Sequence, residues 1–441
     1  MQKCQKLPAE RRWEFFDSSC SRQCRVLVSP KTKELMAEPF HSTSRRNFLK
    51  STLTLPVAFA AAPTLFSQNT GAAEATAGPL PKRALGKSEA SVTMLCMGGM
   101  MSALSPDYID IAWSMGIRYF DTADCYLKGK SEGIFAAWLA KYPERRKEIF
   151  LVSKDHPHKG PEQLLEMIDK RLAACGTTYL DAFYIHGLGP REYGADAVNW
   201  PKSEAFKQTA AALKKSGKVK MVGFSCHDGQ LTECLKSAAA GGFVDIIMLA
   251  FNPFYEKGGE FDRALDACHK AGIGLVAMKT MRSTRDVPKR LPELDKLGLT
   301  THQAVLHSAW SDPRISAVCN MIDNVDQMQS SSLAARNYKE PLKFAHLELL
   351  KETILAGRRT MCTGCPSCAE FSKQTGFAFH DISRFVTYYE QDGNTEAREY
   401  YQALPAAVRD ASQVDLAALR EGCQFKTDYP EIIRRAERYF A

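Results

Sequence analysis

Nowhere in the 441 residues is there an uninterrupted apolar run of the roughly 20 residues that a membrane-spanning helix needs. The richest apolar stretch, Leu53 to Ala62, is short, is interrupted at Pro56 and is followed by Pro63, which argues against a stable span. A basic stripe, a glycine-rich arm and a ladder of spaced aromatics are also missing, so the features by which proteins hold nucleic acid are absent. The excess of positive charge is smaller than the formal +8: residues 1–77 carry eleven Lys/Arg against six Asp/Glu, leaving 47 against 44 beyond them. The chain is 45% hydrophobic and 24% charged, the balance of an ordinary globular protein with ample core.

The residues before 78 have the order of a targeting segment rather than of a fold. Ser44-Arg45-Arg46-Asn47-Phe48-Leu49-Lys50 is followed by Leu53–Ala62 and then by small-residue sites around Ala73-Glu74-Ala75 and Ala75-Thr76-Ala77. Charged, apolar and cleavage regions in that order make a twin-arginine export signal. The expectation is therefore a chain that meets the twin-arginine translocase during export and works in the periplasm or another extracytoplasmic space. The residues ahead of the arginine pair show no pattern and hold Cys4, Cys20 and Cys24, and Met36 offers an alternative start.

From residue 92 onward, short apolar runs alternate with amphipathic ones, as in repeated βα units around a parallel sheet. The predicted strands are Val92–Met97, Ile117–Asp121, Ile149–Ser153, Leu180–Ile185, Lys220–Ser225, Val244–Phe251, Ile273–Met278 and Ile315–Cys319. Between them lie predicted helices such as Glu162–Cys175, Glu204–Ser216, Leu231–Ala239 and Phe261–Ala271. Eight strands suffice to close a barrel, although periodicity alone also admits an open doubly wound sheet. The predicted division is a leader over 1–77, a barrel over 78–340 and a mostly helical extension over 341–441.

Four polar residues stand at the predicted ends of three successive strands: Asp121 and Tyr126, then Lys154, then His186. Carbonyl reduction needs such a set. A ketone accepting hydride develops negative charge on oxygen, and a phenol can supply the proton where an ammonium favours its ionised form. In that reading Tyr126 is the acid/base, Lys154 the ammonium, Asp121 its counter-charge, and His186 the donor that fixes the carbonyl oxygen. The segments resemble the aldo/keto reductase family, whose Asp, Tyr, Lys and His stand on strands 2, 3 and 4 of a (β/α)8 TIM barrel. The gaps here of five, twenty-eight and thirty-two residues are close to that family's spacing.

The resemblance covers residues 82 to 335 and implies an oxidoreductase acting on a small-molecule carbonyl or alcohol with NADP or NAD. Family members hold the nicotinamide carboxamide with a Ser-Asn pair after strand 5 and a Gln on strand 6. Ser225 is kept here, but Cys226 and Met248 stand in the other two places. The candidate cofactor contacts are Ser225, Asn252, Lys279, Asn324 and Gln327. Met321 falls where the family expects a glycine, and Asp323 falls among the phosphate contacts, where a carboxylate repels a 2′-phosphate. Arg282, Arg285, Lys289 and Arg290 form a cationic loop that could take the phosphate instead. Two long loops, Gly187–Pro201 with Tyr193 and Trp200, and Arg282–Leu299, flank the predicted mouth.

Past the barrel, Cys362-Thr363-Gly364-Cys365-Pro366-Ser367-Cys368 has the C-x2-C-x2-C spacing with which ferredoxins cap a [4Fe-4S] cube. The usual fourth cysteine of that motif is replaced by Ser372, which leaves Cys423 as the fourth candidate ligand. A branch of the resembled family carries such an extension. Zinc on the same four thiolates, or disulfides formed after export, are the alternatives. The remaining cysteines read as small core residues, with Cys125 and Cys226 beside the predicted site.

Export fits a cofactor loaded before translocation but conflicts with turnover of a free cytoplasmic nicotinamide pool. Three functions follow: a nicotinamide-dependent carbonyl/alcohol oxidoreductase, an exported enzyme of the same fold that passes electrons through its cluster to a redox partner, and a barrel retained as a binding module.

Overall fold

The computed structural model describes residues 78–283, 287–356, 362, 368–423 and 425–441. The residues predicted to form an export signal, Met36, Arg285 and Cys365 lie outside the described residues.

Strands that are apolar throughout need cover on both faces, and this chain provides it by closing them into a ring. The barrel strands are β1 (Leu95–Gly98), β2 (Tyr119–Asp121), β3 (Phe150–Asp155), β4 (Leu180–Ile185), β5 (Val219–Cys226), β6 (Ile246–Ala250), β7 (Gly274–Met278) and β8 (Ile315–Asn320). They pair in parallel in chain order, and β8 returns to β1 with Cys319 opposite Cys96. The barrel prediction therefore holds and the open sheet is excluded. The first predicted strand divides in two: Ser91–Thr93 pairs antiparallel with Lys82–Ala84, and β1 starts only at Leu95. Leu85 and Val92 of that hairpin pack into the cluster at the barrel centre.

Period-two alternation sorts the strand residues. Cys96, Tyr119, Val152, Ala182, Tyr184, Met221, Ile246, Met248, Val276 and Ala317 meet inside the barrel. Leu95, Phe120, Leu151, Phe183, Val222, Ile247, Leu275 and Val318 face the helices. Met248, in the place expected for a cofactor-binding Gln, is one of the interior packing residues. Gly223 marks the closest approach of β5 to β6, where a Cβ would meet the carbonyl oxygen of Ile246 at 1.7 Å.

The outer ring includes α1 (Pro106–Ser114), α2 (Ser131–Lys141), α3 (Leu164–Cys175), α4 (Glu204–Lys215), α5 (Leu231–Gly241), α6 (Glu260–Lys270), α7 (Thr301–Trp310) and α8 (Val325–Asn337). Ser105, Ser203 and Asn324 accept first-turn N–H groups of α1, α4 and α8, and Thr300 with Gln303 forms a capping box on α7.

The extension contributes α9 (Phe344–Ala356), α10 (Ala369–Thr375), α11 (Phe379–Asp392), α12 (Ala397–Ala403), α13 (Leu416–Gly422) and α14 (Tyr429–Phe440). It has an apolar core of its own, with Phe379, Ile382, Ile432, Ala436 and Phe440, which continues into Phe254, Leu294 and Val305 of the barrel. No helix among the described residues is long and apolar enough to cross a membrane.

Candidate active site

Lys154 lies on β3 between Ser153 and Asp155, whose side chains are tied into the helical layer. Ser153 Oγ bonds Glu132 Oε1 at 2.6 Å, and Asp155 Oδ2 lies 3.2 Å from Arg171 Nε. Alternation then turns Lys154 the other way, toward the neighbouring strand end. Its Nζ is 2.6 Å from Asp121 Oδ2, 2.9 Å from the Thr122 carbonyl and 3.0 Å from the Tyr126 hydroxyl. Asp121 ends β2, and Tyr126 follows within one turn. That turn is closed by Leu127 and Lys128, both left-handed at φ 53° and 56°, a backbone form with few non-glycine occupants. His186, directly after β4, sets its ring edge-on to Tyr126 at 5.5 Å. Asp121, Tyr126, Lys154 and His186 are thus brought to one place at the C-terminal mouth of the barrel, where enzymes of this architecture keep their chemistry.

Burial works against every charge here. It would lower the Lys154 ammonium, but the Asp121 carboxylate and the Tyr126 hydroxyl hold it above its ordinary value. Burial raises Tyr126 above the usual phenol range, and Lys154 only partly opposes the shift. Lys154 thus favours the ionised phenol, as expected from the sequence, but burial outweighs it. Tyr126 is protonated throughout neutral pH, as a proton donor requires.

Burial pushes the His186 imidazole down to about 3, with Asp124 opposing the shift. A neutral ring can donate to a carbonyl oxygen from one nitrogen while the other stays unprotonated. The reductive rate is expected to show no acid-limb inflection near 6.5 from His186, which a pH–rate profile against a His186→Gln variant checks. The stability effect has the opposite window. An unfolded histidine takes up a proton near 6.5, whereas the folded one resists until about 3. The His186 contribution to folding is complete above 6.5 and is lost as the pH falls from there toward 3.

Beside the four lies a group that sequence reasoning missed. Asp124 Oδ2 is 3.0 Å from His156 Nδ1, and Asp124 Oδ1 is 3.7 Å from His186 Nδ1, beyond hydrogen-bond length. Despite burial, the two imidazoles hold the Asp124 carboxyl well below the usual carboxylate range. His156 stands two residues after Lys154, a spacing that would have marked it as sharing the Lys154 face. Partial burial of its sulfur, with the Asp124 carboxylate second, pushes the Cys125 thiol up, although the residue as a whole is exposed.

The candidate cofactor residues line the later strand ends. Buried Ser225 accepts the Gly187 N–H at 2.9 Å. Asn252, after β6, accepts the Phe254 N–H on its Oδ1 at 2.9 Å. Asn324 caps α8 through the Gln327 N–H, and Gln327 Oε1 accepts the Asp323 N–H, both at 2.9 Å. The carbonyl ends of these three amides are engaged by local backbone, which leaves their amide N–H groups for a ligand. Lys279, left-handed at φ 59°, meets the Tyr388 hydroxyl and ring. Arg290 of the cationic loop pairs with Asp295 at 2.6 Å.

Buried polar atoms at the mouth without a hydrogen-bond partner among the described residues include Asp121 Oδ1 and Thr280 Oγ1. An acceptor at the end of β2 and a hydroxyl beside Lys279 at the end of β7 suit the ribose and phosphate of a dinucleotide. The fit to a nicotinamide cofactor therefore rests on Asp121, Ser225, Asn252, Lys279, Thr280 and the N-terminus of α8.

The extension also belongs to this mouth, which nothing in the linear order announces. Arg384 on α11 places Nη1 2.7 Å from His227 Nδ1, and since a guanidinium only donates, Nδ1 is the acceptor. His380 Nε2 donates to the His227 carbonyl at 3.2 Å, and Arg191 lies 3.4 Å from Asp381. Glu396 lies 3.7 Å from Lys128 across the turn that follows Tyr126. Helix α11 therefore crosses the loops after β4, β5 and β7, and the residues leading into α12 reach the loop after β2. The loop after β4 is itself folded, with short helical turns over Pro190–Tyr193 and Ala195–Lys202. Tyr193 donates to the His186 carbonyl at 2.6 Å and packs on Trp200 at 5.0 Å, so Trp200 supports Tyr193 and Tyr193 supports the His186 backbone. Cys362, Cys368 and Cys423 are all buried in the apolar cluster of the extension that also holds Tyr429, whose phenol is pushed upward by burial.

The family model described as Aldo/keto reductase family matches residues 97–335, more than half of the chain. The chain belongs to the aldo/keto reductase family. Among relatives, D-threo-aldose 1-dehydrogenase of a Pseudomonas species is 26% identical over 346 residues, 70% of this chain and 93% of that protein. The uncharacterized oxidoreductase YrpG of Bacillus subtilis is 26% identical over 219 residues, 44% of this chain and 64% of that protein. The matches to the first three relatives span between 48% and 64% of those proteins' lengths. An aldo-keto reductase of Bacillus halodurans, solved in its holo form, matches 62% of this chain and 96% of its own, at 19% identity and a TM-score of 0.48. The match to this aldo/keto reductase chain ends at residue 335, so the helical extension lies beyond it.

Proposed function

We propose that this aldo/keto reductase interconverts an aldehyde, ketone or sugar carbonyl and the corresponding alcohol with NADP or NAD, Tyr126 giving and taking the hydroxyl proton. The observation that carries the reading is the Lys154 ammonium, held 2.6 Å from Asp121 and 3.0 Å from the Tyr126 hydroxyl. The cofactor, when bound, supplies or accepts hydride. The chain's own residues do the rest. His186 and Tyr126 hold the carbonyl oxygen between two donors, and negative charge developing there is stabilised by groups already oriented. Tyr126 releases its proton to that oxygen while Lys154, 3.0 Å away, stabilises the phenolate left behind. Helix α11 covers part of the mouth through Arg384, His380 and Asp381. The test is oxidation of NADPH or NADH by the full chain, dependent on an aldehyde or aldose; no turnover with any carbonyl, together with no cofactor binding, sinks the proposal.

A second reading has one observation in its favour: Cys362, Cys368 and Cys423 are buried in the same apolar cluster of the extension, together with Tyr429. With Cys365 they would hold a [4Fe-4S] cluster, or zinc, and a cluster there would let a redox partner renew a cofactor that stays bound. Visible absorption bleached by dithionite supports the cluster, and a colourless protein with stoichiometric zinc supports the alternative.

We also propose export by the twin-arginine route to the periplasm. An Arg45→Lys/Arg46→Lys chain is expected to accumulate in the cytoplasm, read by fractionation. Export equal to that of the unaltered chain would remove the twin-arginine assignment.

A further inference from the structure

Asp124 and Cys125 after β2, His156 after β3 and His186 after β4 come from three successive strand-end loops, and their donor atoms all lie within 4.8 Å of one another. The individual separations are more telling. Asp124 Oδ2 to His156 Nδ1 is 3.0 Å, Asp124 Oδ1 to His186 Nδ1 is 3.7 Å, and Cys125 Sγ to His186 Nδ1 is 3.7 Å. A tetrahedral ion with bonds of about 2.1 Å sets its donors about 3.4 Å apart, so these values bracket the edge of such a site. Hydrogen bonding accounts for only part of the arrangement, because Asp124 Oδ1 is buried with no hydrogen-bond partner among the described residues. Three of the side chains are shielded but reachable, His156 and Asp124 being 23% and 22% exposed and His186 13% exposed, while Cys125 is exposed. The His158 ring stacks on His156 at 5.8 Å and steadies it from outside.

We propose that Asp124, His156, His186 and Cys125 bind one divalent transition-metal ion of the zinc class. Two imidazoles, a carboxylate and a thiol are the borderline donors that such an ion takes in preference to magnesium or calcium. Coordination displaces the thiol proton of Cys125 to solvent, so binding releases a proton. With the ion on Nδ1 of His186, the ring proton is confined to Nε2, the nitrogen left to donate to a carbonyl oxygen. That consequence rests on the carbonyl-reduction reading; the site itself does not.

The test uses the full chain, treated with chelator and titrated with Co2+, which occupies zinc sites and colours tetrahedral ones. The unaltered chain is expected to bind one equivalent more than either His156→Gln or Asp124→Asn, and the difference spectrum should carry intense visible bands that Zn2+ abolishes. Any metal held by the C-terminal cysteines appears in all samples and cancels. His156→Cys, which returns a donor to the same position, should regain the equivalent, separating loss of a ligand from loss of the fold. Tyr126→Phe, which keeps all four donors, should bind as the unaltered chain does, so this result is independent of whether carbonyl reduction is the reaction. Equal stoichiometry and superimposable spectra for the unaltered chain, His156→Gln and Asp124→Asn would overturn the site.

Discussion

Tyr126→Phe is expected to lower kcat for carbonyl reduction by about 10²–10⁴-fold, the range set by a positioned proton donor, with little change in KM or stability. The substitution removes one oxygen and keeps the ring. That ring stands edge-on to His186 at 5.5 Å and under the Lys154 ammonium at 4.4 Å, and phenylalanine preserves both contacts. What disappears is the hydroxyl, whose oxygen accepts from Lys154 Nζ at 3.0 Å and which carries the transferable proton. Since burial holds the phenol above its ordinary value, reduction in the unaltered enzyme should vary little with pH across the neutral range. Alcohol oxidation needs the phenolate and should rise toward alkaline pH. Steady-state rates in both directions, with cofactor binding followed by fluorescence, check this. A variant that reduces aldehydes within a few-fold of the unaltered enzyme would remove Tyr126 from the chemistry.

Much of this was legible in the sequence because the barrel repeats one signal. Strands such as Leu180–Ile185 are apolar at almost every position, and helices such as Leu164–Cys175 end at a left-handed glycine, Gly176. The cluster of Asp121, Tyr126, Lys154 and His186 was legible for a similar reason: polar residues ending apolar strands are conspicuous, and strand ends converge in a closed barrel. Boundaries were less legible. Val92 and Leu95 belong to different sheets, and no residue between them announces the break, which depends on Lys82–Ala84 returning to pair with Ser91–Thr93. The cover over the mouth was not legible at all. Arg384 meets His227 from 157 positions away, and a contact across that interval has no periodicity to betray it. Amides assigned to the cofactor, such as Asn324 and Gln327, owe part of their placement to helix capping, a role that short polar residues before a helix take up regardless of ligand.

Lys154→Met is expected to be among the most destabilising single substitutions in the barrel and to abolish reduction as well. Both partners of the Lys154–Asp121 pair are almost wholly enclosed, at 1% and 2% exposure. Removing the lysine leaves a buried carboxylate whose Oδ2 has lost its ammonium and whose Oδ1 already lacks a partner among the described residues. Breaking such a pair from one side costs about 3–5 kcal/mol, a large share of the stability of most domains. The cost belongs to the stranded charge rather than to the lost attraction, so Lys154→Met/Asp121→Leu should recover most of the stability. It should recover none of the reduction, because the hydroxyl of Tyr126 then has no cation to stabilise its ionised form. Denaturant midpoints of the two single variants and the double variant give the coupling, and aldehyde turnover by the refolded double variant gives the chemistry. A double variant that regains both would show that Lys154 serves the fold alone, and a single Lys154→Met variant as stable as the unaltered chain would show that Asp121 is not stranded by its loss.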